Sequence, residues 1–190
     1  ARNGSWQDGP KFDLFKDKTN LNIVAEDLGF IDEGVRTLLK QTGYPGMKIL
    51  EFAFDGRPDN EHKPSNYTNN YLVYTGTHDN MPLYQYILDL SPIDLATLLD
   101  DVKIECEKLN VNMKDKSYEQ ITNTIVELAF ASVADTCIIP MQDLLCQDGT
   151  TRMNLPSTVS TNNWSYRVNK NDLNDKLALR LCKLVEKYLR

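Results

Sequence analysis

The sequence predicts an α/β fold with parallel strands, arranged as half of a (β/α)8 barrel. Three observations carry that expectation. Four short apolar runs read as strands buried on both faces, because each is more continuous than alternating. Helical patterns lie between and after them, and such alternation implies parallel pairing through crossovers. Polar or acidic residues close every run at the same end, which is where a barrel carries its chemistry.

The first run, 22–25, closes on Glu26 and Asp27. Asp32 then reads as the N-cap of a helix carrying Val35, Leu38 and Leu39, with Gly43 placed to end it. The second run, 48–54, contains Glu51 and is followed by Asp55. The stretch "PDNEHKPSNYTNN" (58–70) is polar throughout and reads as a surface loop. The third run, 71–75, leads into His78 and Asp79. Ser91-Pro92-Ile93-Asp94 forms a capping box with proline at the first helical position. Leu95, Leu98, Leu99, Val102 and Cys106 then share one helical face. A second box, Ser117 to Gln120, precedes Ile121, Ile125 and Leu128. The fourth run, 136–141, closes on Gln142 and Asp143. Leu177, Leu181, Leu184 and Tyr188 mark a last amphipathic helix.

The chain has 190 residues, of which 41% are hydrophobic and 25% charged, the balance of an ordinary globular domain. Its net charge is −6, and no basic stripe follows one face. Nucleic acid and anionic membrane are therefore not expected partners, whereas a neutral sugar fits. The expectation is of no signal peptide, and no apolar run is long enough to span a membrane. Cys106, Cys137, Cys146 and Cys182 form no CxxC pair, and only His62 and His78 could join them. The expectation is reduced thiols in a cytoplasmic protein, with no metal and no cofactor.

Carboxylates gathered at one mouth fit glycoside chemistry. Cleavage needs a general acid to protonate the leaving oxygen, and a retaining enzyme adds a carboxylate nucleophile about 5–5.5 Å away. A further carboxylate can oppose the positive charge of the transition state. Acidic residues at strand ends also cap helices and bind loop amides, so position alone decides little.

The motifs decide more. "IVAEDLG" (23–29), "GYPGMKILEFAFD" (43–55), "VYTGTHDN" (73–80), "PMQDLL" (140–145) and "TRMNLPSTVSTNNWSYR" (151–167) occur in that order. Together with "GSWQDGPKFDLF" (4–15), they closely resemble the C-terminal half of the amylomaltase, or 4-α-glucanotransferase, family of α-amylase-like barrels. That resemblance implies strands 5 to 8 of the barrel over residues 1–190. It implies a retaining double displacement that moves α-1,4-glucan segments to glucose or malto-oligosaccharide acceptors. By the same resemblance Glu26 is the general acid/base and Asp79 the transition-state stabiliser. His78 contacts substrate, Phe52 and Asp55 line donor subsites, and Asn154 lies near the glucan. Trp164 is open between stacking on a sugar and filling the outer shell.

The chain departs from the family pattern at several points. Met81-Pro82-Leu83-Tyr84 follows "THDN", Glu51 stands for a glutamine, and Ser157 stands for a glycine. The family's nucleophile, an aspartate in a motif like "RIDHFRG", has no counterpart, since Asp8, Asp13 and Asp17 sit in a polar segment. The expectation is a piece of a longer enzyme, inactive alone, that self-associates through its open strand edges. A glucan hydrolase of the same barrel class and a non-catalytic glucan-binding module are the alternatives.

Overall fold

The structure is a computed structural model that describes residues 22–29 and 31–190. The "GSWQDGPKFDLF" segment, with Asp8, Asp13 and Asp17, lies outside the described residues.

Helix α1 (Glu33–Thr42) starts where expected: Asp32 Oδ1 accepts from the Val35 amide at 2.9 Å. It stops at Gly43, whose φ of 65° suits a residue without a side chain. Strand β1 (Gly46–Ile49) and strand β2 (Tyr71–Tyr74) follow. Helices α2 (Leu83–Asp89), α3 (Pro92–Leu109) and α4 (Tyr118–Ala131) lie between β2 and β3 (Thr136–Ile138). A single turn, α5 (Met141–Leu144), and a terminal helix, α6 (Asp175–Tyr188), complete the order. The sheet is wholly parallel, in the order β1-β2-β3. Ile49 pairs with Tyr74, and Tyr74 with Ile138, so the three strands end level.

Both serine N-caps form without the return bond of a full box: Asp94 Oδ2 accepts from Ser91 Oγ, and the Ser117 amide donates to Asp115. Ser91 Oγ accepts from the Asp94 amide and Ser117 Oγ from the Gln120 amide. On α3, Leu98, Val102 and Cys106 are buried. Helix α4 is the centre of the helical layer, packed against α2, α3, α5 and α6. Its Ile121, Ile125 and Leu128 are buried in the main core. Its other face, Val126 and Phe130, receives Leu177, Leu181, Leu184 and Tyr188 of α6.

Four expectations need correction. The run 22–25 is not a strand: Asn22 and Val24 are exposed. Its backbone joins the sheet's edge through Ala25 N–H to the Pro45 carbonyl at 2.9 Å. The sheet among the described residues thus has three strands, not four. The second run leaves the ladder at Leu50, where a 3-10 turn (Leu50–Phe52) replaces extended backbone. The fourth ends at Ile138, and Pro140, which has no N–H to give a ladder, leads into α5. Thr136 and Ile138 are exposed, so β3 is not buried on both faces.

The polar stretch 58–70 is the fourth correction, in part: Pro58, Asp59, Glu61, Asn66 and residues 68–70 are exposed as expected, but others are not. Asn60, Lys63 and Tyr67 are buried, not on the surface. Lys63 Nζ meets Asp101 Oδ1 at 2.7 Å, and Ser65 donates from both N–H and Oγ–H to Glu105 at 2.8 Å. Asp101 and Glu105 sit beside the apolar face of α3 and supply the charge this loop requires. No helix among the described residues is long and apolar enough to cross a membrane. All four cysteines are free thiols.

Candidate active site

Parallel strands that end level deliver their following residues to one side. After β1 comes Phe52, after β2 come His78 and Asp79, and after β3 come Gln142 and Asp143. These residues line one cleft of about 830 Å³, together with Glu26. Glu26 reaches it because its neighbours are tied to the start of β1. Ala25 bonds to Pro45, and Asp27 Oδ1 accepts from the Met47 amide at 2.7 Å. Gly46 permits this approach, since a Cβ there would lie 2.6 Å from Asp27 Oδ2. Glu26 itself is exposed to the cleft.

Asp79 is held from several sides. Its Oδ1 accepts from Asn154 Nδ2 at 2.5 Å and lies 3.4 Å from His78 Nε2. Arg152 Nη2 donates to the Asp79 carbonyl at 2.6 Å, and its Nε donates to the Asn154 carbonyl at 2.9 Å. Arg152 therefore fixes both partners of the Asp79–Asn154 bond. The Asp79 side chain remains 45% exposed, so the carboxylate is oriented yet open to a ligand.

The other expected residues divide. Phe52 is in the cleft, its ring set edge-on to His62 at 5.6 Å between centroids. His62 Nδ1 accepts from the Ile49 amide at 3.1 Å, so this histidine braces the end of β1. Burial lowers its pKa and favours the neutral ring this bond needs. Asp55 does not line the cleft; Arg57 binds its carboxylate through Nε at 2.7 Å and through its amide at 3.1 Å. Trp164 does not fill an outer shell. It is 56% exposed, and its indole lies 4.9 Å from the His78 ring. A bond from the Trp164 backbone N–H to the Met153 carbonyl at 2.7 Å anchors that loop beside the cleft.

Residues at the base of the cleft have environments that no motif gives away. Asp143 is fully buried and accepts from the Leu83 amide at 2.7 Å and from the Thr75 hydroxyl. Burial pushes its pKa up to about 6, although both hydrogen bonds oppose the shift. Glu51 is buried beneath the 75–80 loop and accepts from Asn80 Nδ2 at 2.8 Å. The bonds of Arg152 to Asp79, of Asn80 to Glu51 and of Asp143 to Leu83 and Thr75 carry no local signal, because those partners lie far off in sequence. Among the described residues no group of three His, Cys, Asp or Glu side chains is placed to hold a metal.

Comparison with known proteins bears on this cleft. A sequence model of a family described as 4-alpha-glucanotransferase matches residues 1–173. The 4-alpha-glucanotransferase of Clostridium butyricum is 37% identical across 100% of this chain and 38% of its own length. The chloroplastic/amyloplastic 4-alpha-glucanotransferase of Solanum tuberosum is 38% identical across 95% of this chain and 30% of its own. A solved structure of amylomaltase from Streptococcus agalactiae in complex with acarbose superimposes with a TM-score of 0.81 at 36% identity. It covers 98% of this chain, which spans 36% of that one. The chain thus spans a little over a third of the solved amylomaltase and of its bacterial relative.

Proposed function

Since the chain belongs to the 4-alpha-glucanotransferase family, we propose that it forms part of an enzyme that transfers segments of α-1,4-glucan to sugar acceptors. One observation carries this reading: Glu26, whose neighbours are tied to the start of β1, lines one cleft with His78 and Asp79, which follow the end of β2. Glu26 gives its proton to the glycosidic oxygen and later takes one from the acceptor hydroxyl. Asp79, oriented by Asn154 and Arg152, opposes the charge that develops at the sugar ring. His78 and Phe52 contact the bound glucan, Asn154 shapes the pocket through Asp79, and Trp164 supports His78. Asp55 acts from outside the cleft lining, at the edge of the donor side.

The three parallel strands are then strands of one (β/α)8 barrel, with residues 22–25 running beside the edge of β1, and residues 1–190 are its C-terminal half. The nucleophile implied by the family pattern has no counterpart in this sequence, so the 190-residue chain is inactive alone. Free thiols fit a cytoplasmic setting. Strand β3 has exposed Thr136 and Ile138, and its free edge is where a second copy pairs. Analytical ultracentrifugation should therefore show a dimer of the 190-residue chain; a monomer at high concentration contradicts it.

Maltotriose tests the activity. Incubated with the protein that carries this chain, it should yield glucose and longer oligosaccharides together. Glucose and maltose without longer products would mean hydrolysis instead.

A further inference from the structure

We propose that Glu51 is a positioning residue for Asp79, acting through Asn80 and Thr77 on the loop that carries it. The proposal rests on the reading of Asp79 as a glucan-site carboxylate. Its basis is a chain of hydrogen bonds whose direction is settled at every link. Asn80 Oδ1 accepts from the Thr77 amide at 2.9 Å and from Thr77 Oγ1 at 2.7 Å. A backbone N–H can only donate, so the Asn80 amide has one orientation. Its Nδ2 must then face Glu51, and it lies 2.8 Å from Oε2. The Thr77 hydroxyl gives its proton to Asn80 and accepts from the Asp79 amide at 3.3 Å. Glu51 thus anchors a series that ends on the Asp79 backbone.

Glu51 performs this as a neutral acid. The residue is 7% exposed, and its Oε1 is buried with no hydrogen-bond partner. An ionised carboxylate would leave charge on that orphan oxygen, which costs far more than leaving a neutral one. Asp143, beyond β3, disfavours ionisation, while Arg152 favours it. Tyr86 of α2 gives its hydroxyl to the Glu51 carbonyl at 3.2 Å rather than to the carboxyl. Burial outweighs the Asn80 bond and the two charges, and the pKa is pushed from 4.5 up to about 8.

Ionisation then acts on the loop. Gly76 is packed so closely that a Cβ there would lie 2.8 Å from Glu51 Oε1. A charged oxygen seeking water or a donor has to displace this segment. The sign follows from linkage: the folded pKa is raised, so the folded state holds the extra proton. The stability Glu51 contributes is full below about pH 4.5 and is lost as pH rises through about 8. Glutamine supplies the same accepting oxygen to Asn80 without a charge.

The test follows the Thr77 and Asp79 amides of the 190-residue chain by NMR from about pH 6 to pH 9.5. In the native chain both resonances should shift together with a midpoint near 8; in Glu51→Gln they should not. A flat native profile, or the same titration in E51Q, overturns the proposal. In the protein that carries this chain, the ratio of E51Q to native transfer activity should rise about tenfold between about pH 7 and pH 9, following the loss of the neutral acid. Glu51→Ala should lower activity at every pH. Absence of transfer in all variants would count against the glucan reading, and the amide titration would still decide the role of Glu51.

Discussion

Glu26→Gln should lower maltotriose disproportionation by about 10²–10⁴-fold, the usual contribution of a general acid/base. The substitution is a clean one. Glu26 is exposed to the cleft, and the bonds that place it belong to Ala25 and Asp27. Glutamine therefore keeps the fold while removing the transferable proton. Thermal unfolding of the variant should match the native protein, which separates lost chemistry from lost structure. A donor whose leaving group needs no proton, such as a maltosyl fluoride, should restore the first step, because fluoride departs without general-acid help. The assay compares maltotriose turnover and the first-turnover release of fluoride in native and variant enzyme, since later turnovers still need Glu26 as the base. Equal rates with maltotriose would remove Glu26 from the mechanism. Fluoride release as slow as maltotriose cleavage in the first turnover would place the defect elsewhere than in protonation of the leaving oxygen.

Asp143→Ala should destabilise the chain by about 3 kcal/mol, since it leaves two buried donors without acceptors. Those donors are the Leu83 amide at the start of α2 and the Thr75 hydroxyl at the end of β2. Helix α2 begins after Pro82, which offers no side-chain cap, so Asp143 is the cap that the local sequence lacks. Asp143→Asn should cost much less, because an amide oxygen can still accept from Leu83. The pH dependence has a definite sign. Burial holds the folded pKa near about 6, above the ordinary 3.8. The stability tied to that proton is therefore full below about pH 4 and lost as pH rises through about 6. The deficit of D143A should accordingly be larger at low pH than at neutral pH. Urea unfolding at the two pH values measures it, and an unchanged midpoint in D143A would contradict the capping role.

These two residues show what the sequence can and cannot display. The helices with their own caps were legible: Asp32, Ser91 and Ser117 each bond to an amide three residues on. Helix α2 was not, because its acceptor comes from Asp143, 60 residues away. The polar stretch 58–70 reads as solvent-facing for the same reason. The partners that allow Lys63 to be buried and that hold the half-buried Ser65, Asp101 and Glu105, lie on another element. Strand ends were misjudged where apolar composition ran past the ladder, as at Leu50 and Ile139. The cleft was more legible than its supports. Glu26, Phe52, His78 and Asp79 stand in recognisable motifs and line one cavity. Arg152 lies inside a recognised motif, yet its grip on the Asp79 and Asn154 carbonyls is a matter of geometry alone. Glu51 stands out in sequence only as an acid within an apolar run; its burial and its orphan oxygen required the fold.

The most direct measurement is a crystal structure of the protein that carries this chain with acarbose, the ligand in the Streptococcus agalactiae amylomaltase complex. Acarbose should lie in the cleft between Glu26 and Asp79. The Asp79 carboxylate should hydrogen-bond sugar hydroxyls, and Glu26 should face the nitrogen that replaces the glycosidic oxygen. Acarbose bound away from this cleft, with Glu26 and Asp79 both untouched, would contradict the account.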